Sequence, residues 1–261
     1  MVFVFVFLVC FFASVVGAIC GIGGGVIIKP ALDAFHIMDV STISFLSGCT
    51  VLSMSTYSVI RSKRSGASHI DRHIGLPLAL GAAAGGMVGK HLFQIVRSLS
   101  GDPDRVGAIQ AGCLLVITLG TLVYTLFKSR ISTHQVQNTA VCVIIGFLLG
   151  IMSSFLGIGG GPINLVVLFF FFSMDTKTAA ENSLYIIFFS QLASLALSIL
   201  TRSVPAFSVG VLCLMICGGI GGGMVGRSVN KKLETRTVDR LFIGLMVLII
   251  FINIYNIYNF L

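Results

Sequence analysis

Charge is what this sequence has least of. Only 10% of its 261 residues are Asp, Glu, Lys or Arg, where a soluble domain carries roughly 25%. Such a chain cannot cover a water-facing surface, which excludes a soluble enzyme, an extracellular disulfide scaffold and a disordered regulator. Cysteine occurs seven times, with no CxxC pair and no histidine at ligand spacing, so the thiols read as small buried residues. Cys213 and Cys217 share a helix face at i and i+4 but are two thiols only, too few for a metal. The first apolar run has no basic n-region and no small-residue cleavage site, and reads as a first span. Also missing are a Ser/His/Asp set, a paired-carboxylate site, HExxH and a P-loop with GK[ST]. Neither nucleotide hydrolysis nor any enzyme activity is expected, and no cofactor or metal.

What is present is apolar. Residues of the AVILMFWYC set make up 56% of the chain, and mean hydropathy is +1.03. Apolar runs lie near residues 2–19, 41–60, 74–96, 106–127, 136–156, 182–200, 204–226 and 241–259. Most reach the roughly 20 residues that a helix needs to cross a bilayer core of about 30 Å. The expected class is an all-α polytopic membrane protein. Two further pieces, 26–37 and 162–174, are too short for an ordinary span. The net charge of +8 has no soluble domain on which to form a basic face for nucleic acid, and is expected to sit in cytoplasmic loops.

The chain repeats itself. Gly21-Ile22-Gly23-Gly24-Gly25 recurs as Gly157-Ile158-Gly159-Gly160-Gly161, 136 residues on. At the same offset Met38-Asp39 recurs as Met174-Asp175, and Thr42 as Thr178. Gly85-Gly86-Met87-Val88-Gly89 recurs at an offset of 137 as Gly222-Gly223-Met224-Val225-Gly226, followed in turn by Lys90 and Arg227. Ordered matches at one spacing divide the chain into a first half, 1–130, and a second, 131–261.

Loop charge predicts how the halves are oriented. The basic segments 61–73 and 227–240 are expected on the cytoplasmic side, yet they occupy non-equivalent positions of the repeat, as inverted halves would place them. Both fall inside if each half has five membrane elements, four spans and one short half-helix, with both termini on the non-cytoplasmic side. Lys128, Arg130 and Lys177 then fall inside too, which brings twelve of the seventeen Lys and Arg to that face. Eight spans with two re-entrant pieces that do not cross is the alternative.

Each short piece directly follows a GIGGG motif, so each half combines a span, a glycine break and a half-helix. Broken backbone at membrane depth must be satisfied by protein or by a water-filled cavity. A half-helix start presents free N–H groups and a positive dipole end, the environment of a small anion, and transporters place such breaks near the midplane. The expected binding residues are Gly21, Gly23, Gly24, Gly25 and Lys29 in the first half, and Gly157, Gly159, Gly160, Gly161, Asn164, Asn182 and Ser183 in the second. Ser47, Thr50 and Gln191 are further neutral donors. Lys29, a cation at depth, should face a cavity, an anion or a carboxylate such as Asp33, unless it snorkels. Gly85, Gly86, Gly89 and Gly218 to Gly223 are expected to pack helices. Asp39 and Asp175 each precede a span and read as N-caps, with coupling to a proton or cation as the sharper alternative; Glu181 and His36 are weaker coupling candidates.

At GIGGGVIIKP, residues 21–30, and GIGGGPINLV, residues 157–166, the chain resembles the sulfite exporter TauE/SafE family of membrane transporters. The resemblance spans nearly the whole chain and implies permeation of small sulfur-containing anions, such as sulfite or organosulfonates, often outward. The chain departs from the family pattern at Lys29 and in the place of Pro162. The expected function is a secondary transporter of a small anion, against an anion channel or a membrane-embedded sulfur-relay or structural partner.

Overall fold

The computed structural model describes residues 2–64 and 72–260; the rest of the basic segment 61–73, from 65 to 71, lies outside the described residues. The described chain forms ten α-helices: α1 (Val2–Cys20), α2 (Gly25–Ala34), α3 (Val40–Arg64), α4 (Arg72–Ser100), α5 (Pro103–Phe127), α6 (Thr139–Phe155), α7 (Pro162–Phe172), α8 (Thr176–Leu200), α9 (Val209–Lys232) and α10 (Thr235–Phe260). The order long, short, long, long, long thus occurs twice. Six of them, α1, α3, α5, α8, α9 and α10, are long and apolar enough to cross a bilayer. The sequence reading of eight full spans is narrowed by two helices. Helix α6 stops at 17 residues because the glycine break ends it. Helix α4 has the length, with 29 residues, but Lys90, His91, Gln94 and its glycines dilute its hydropathy.

The boundaries follow from local chemistry. Asn138 caps α6 by accepting from Ala140 N–H at 2.9 Å, and Asp175 caps α8 by accepting from Thr178 N–H at 2.9 Å, each answering a first-turn donor that the helix itself cannot. Pro162 begins α7, where its missing N–H costs nothing. The extended stretch between α5 and α6 covers the end of α7: His134 and Val136 donate to the carbonyls of Phe170 and Phe171.

The helices associate across the halves. Helix α4 lies along α6 and α1 along α9, so the first helix of each half packs on the fourth of the other. Both seams are made by glycine at four-residue spacing. A Cβ on Gly81, Gly85 or Gly89 would sit 2.0–2.3 Å from the carbonyl oxygens of Val143, Phe147 and Ile151 on α6. A Cβ on Gly222 or Gly226 would sit 2.3 Å from those of Phe11 and Val15 on α1. Without side chains between them the backbones touch, and dispersion replaces the hydrophobic effect that lipid removes. Helices α3 and α8 pack on each other between these seams, and α5 packs on α10.

Candidate functional site

The two breaks are built alike. Gly21 and Gly23 take φ of 75° and 78°, and their counterparts Gly157 and Gly159 take 67° and 75°, left-handed values that glycine adopts without strain. All ten residues of the two GIGGG motifs are buried. The breaks also meet: a Cβ on Gly25, the first residue of α2, would lie 2.1 Å from the carbonyl oxygen of Ile158 in the second break.

Helices α3 and α8 press on the breaks with matching residues. Gly21 abuts Ala180 of α8, and Gly157 abuts Ser44 of α3. One to two turns on, Ile187 of α8 lies against Gly23 and Gly160, and Val51 of α3 lies against Gly25 and Gly159. Residues 44, 47 and 51 share a helix face, as do 180, 183 and 187. Ser47 and Ser183 therefore sit on the faces turned to the breaks.

The polar side chains gathered there have no protein partners. Ser47 and Ser183 are fully buried, Asn164 is 1% exposed, and neither hydroxyl nor either carboxamide atom is hydrogen-bonded. Asn164 lies in the first turn of α7 and its Nδ2 borders Gly160. Ser14 of α1, whose hydroxyl would be 2.7 Å from a Cβ on Gly24, and Ser44, beside Gly157, are buried and unpaired as well. Buried polar groups are almost always paired, and an unpaired one costs its full desolvation. The five lie along the two breaks, and their unanswered hydroxyl and carboxamide groups could bond a polar ligand.

The other sequence-predicted residues are placed differently. The Lys29 ammonium is held by Asp33 at 2.6 Å, both side chains being 4% exposed. Of the partners open to it, it takes the carboxylate, eight residues beyond the start of α2. Asn182 donates back to the Thr178 carbonyl at 2.9 Å, Thr50 to Leu46 at 2.9 Å, and Gln191 to Ser153 at 3.4 Å. Asp39 accepts from Ser41 N–H at 3.0 Å, which with Asp175 makes both repeated acids helix caps. Asp39 also lines a cleft of about 430 Å³ between the start of α1, the start of α3 and the residues before α9. The His36 ring packs on Phe260, 5.5 Å between centroids. Glu181 pairs with Arg227 at 3.4 Å. Ser14 and Ser44 are the break-lining residues that sequence reasoning missed; a lone serine in an apolar span gives no signal of whether it bonds to its own helix.

The model of the family described as "Sulfite exporter TauE/SafE" matches residues 6–252. The chain is similar to the "Probable membrane transporter protein YunE" of Bacillus subtilis (strain 168), 24% identical over 277 residues, covering 95% of this chain and 96% of that protein. No solved structure matches.

Proposed function

Because the chain belongs to the sulfite exporter TauE/SafE family of membrane transporters, we propose that it is a secondary transporter that carries a small sulfur-containing anion, such as sulfite or an organosulfonate, through a site between the two breaks. One observation carries this reading: the unpaired side chains of Ser14, Ser44, Ser47, Asn164 and Ser183 surround two half-helix starts that meet. Hydroxyl and amide donors, with first-turn N–H groups of α2 and α7, suit the several acceptor oxygens of such an anion. Asp33 cancels the charge of Lys29, so the anion is bound by dipoles and can also leave.

The same reading takes the halves as inverted repeats, 1–130 and 131–261, with five crossing elements each and both termini non-cytoplasmic. The exchange of first and fourth helices between halves supports a two-fold relation, and the unequal placing of the basic loops supports its being an inversion. Alternating access then consists of α3 and α8 rocking on the paired breaks.

Reconstitution into proteoliposomes tests it. Saturable uptake of sulfite or a small alkylsulfonate, with counterflow from preloaded vesicles, is the expected result. Conductance without counterflow makes the protein a channel. Binding of another solute with no flux of sulfur anions sinks the substrate claim.

A further inference from the structure

The repeated GGMVG motif ends in a cation in both halves, and the two cations are treated differently. Arg227 on α9 donates to the Ser58 carbonyl at 2.8 Å and to Glu181 of α8 at 3.4 Å. Ser62 of α3 donates to the other oxygen of the same carboxylate at 3.3 Å. This cation has a carbonyl and a carboxylate from protein, with only its Nε unanswered.

Lys90 on α4 is its counterpart and is the more buried, 8% exposed. Among the described residues no carboxylate and no hydrogen-bond acceptor meets its Nζ; its recorded contact is the ring of Phe93, 5.1 Å away. The repeat explains the missing acid. The position equivalent to Glu181 is Phe45, a buried ring that packs on Phe207.

The surroundings of Lys90 are polar nonetheless. Gly86, one turn before it, abuts Ser190 of α8, and Gln94, one turn after it, donates to Ser203 at 2.5 Å. Positions 86, 90 and 94 lie on one face, so Lys90 emerges alongside the buried hydroxyl row Ser190, Ser194 and Ser198 of α8. Ser194 matches Ser58, whose carbonyl receives Arg227. The Lys90 side chain is largely buried and meets no carboxylate among the described residues, and a cation so placed in a membrane protein favours a negative visitor.

We infer that Lys90 is a second anion contact, a waypoint for the transported oxyanion between α4 and the serine row of α8. It rests on the transport reading above. With inverted halves it lies on the membrane face opposite Arg227. There it draws the anion in from one side, while the Arg227–Glu181 clasp leaves no free cation at the equivalent point on the other.

The test uses the full-length protein with sulfite as probe. Lys90→Met, an apolar replacement that inserts at least as readily, should raise the KM for sulfite about tenfold at unchanged Vmax, as loss of one charged contact does. Lys90→Arg should keep it within about twofold. Phe45→Glu, which writes the missing carboxylate into the first half, should raise KM similarly, and should add nothing on top of Lys90→Met. Unchanged KM in Lys90→Met, or a fall in Vmax alone, overturns the inference while wild-type flux keeps the transport reading. Wild-type protein that carries no sulfite, yet melts at higher temperature with sulfite in a Lys90-dependent way, keeps the anion contact and overturns transport. Neither flux nor stabilisation overturns both.

Discussion

The two halves share a backbone and differ in chemistry. Both breaks take left-handed φ at the first and third motif positions, and both are pressed by matched residues of α3 and α8, although α7 starts one residue later in the repeat than α2, after Gly160 at φ 135°. Yet Lys29 and Asp33 on α2 correspond to Leu165 and Phe169 on α7, and Asn164 on α7 corresponds to Ile28 on α2. The duplicated part builds the paired breaks, where any departure in shape would be felt by both halves. The unduplicated part sets the chemistry of the side chains beside them. Repeat symmetry therefore predicts geometry here and does not predict ligands.

The comparison can be broken hardest at the ion pair. Asp33→Asn leaves Lys29 buried without its counter-charge and should cost about 3–5 kcal/mol of stability, read as a lowered melting temperature in detergent. Writing the second half into the first, Lys29→Leu with Asp33→Phe, should recover the loss to within about 1 kcal/mol. A double variant no better than the single one would show that the pair does more than answer its own charge. Next comes the contact between the breaks. Gly25→Ala should cost about 1–3 kcal/mol, because its Cβ meets a carbonyl oxygen rather than a side chain that can turn away. Gly161→Ala, at the corresponding position, should cost less than about 0.5 kcal/mol, since its nearest neighbour is the movable Cδ1 of Ile158 at 3.2 Å.

The remaining predictions sharpen the chemical side. Asn164→Leu should lower kcat/KM for sulfite about tenfold with the melting temperature unchanged or raised, because the carboxamide makes no protein hydrogen bond to lose. A fall in both activity and melting temperature would mark Asn164 as structural. The smallest effect is expected from replacing all seven cysteines, which should leave transport within about twofold; loss of function there would favour a sulfur-relay role.

Much of the fold was legible because each helix is bounded by an apolar run and by a residue that stops it. Gly21 to Gly24, Gly157 to Gly161 and Asp175 all mark real ends, whereas the Asn138 cap lies inside the apolar run read as 136–156. The Lys29–Asp33 pair was legible too, being four residues apart on one helix. Which helices pair was not. The stripes of Gly81, Gly85 and Gly89, and of Gly222 and Gly226, announce a close partner but carry nothing to say which one. The Arg227–Glu181 pair, 46 residues apart on neighbouring helices, was hidden for the same reason. Serines were the least legible. Ser53 bonds its own helix and Ser47 does not, a difference set by packing around them rather than by their neighbours in sequence.

The glycine seam between α1 and α9 also sets a schedule for biogenesis. Helix α1 leaves the ribosome before α9, the surface it meets, which is translated about 190 residues later, roughly 10–40 s at ordinary elongation rates. Through that interval the backbone of α1 around Phe11 and Val15, which the α9 glycines will cover, faces lipid or the insertion machinery. The seam between α4 and α6 closes sooner, since its members are separated by one helix and a short stretch. Of the two seams, the one that joins helices far apart in the chain is thus the last that can be completed, although α1 precedes both α4 and α6.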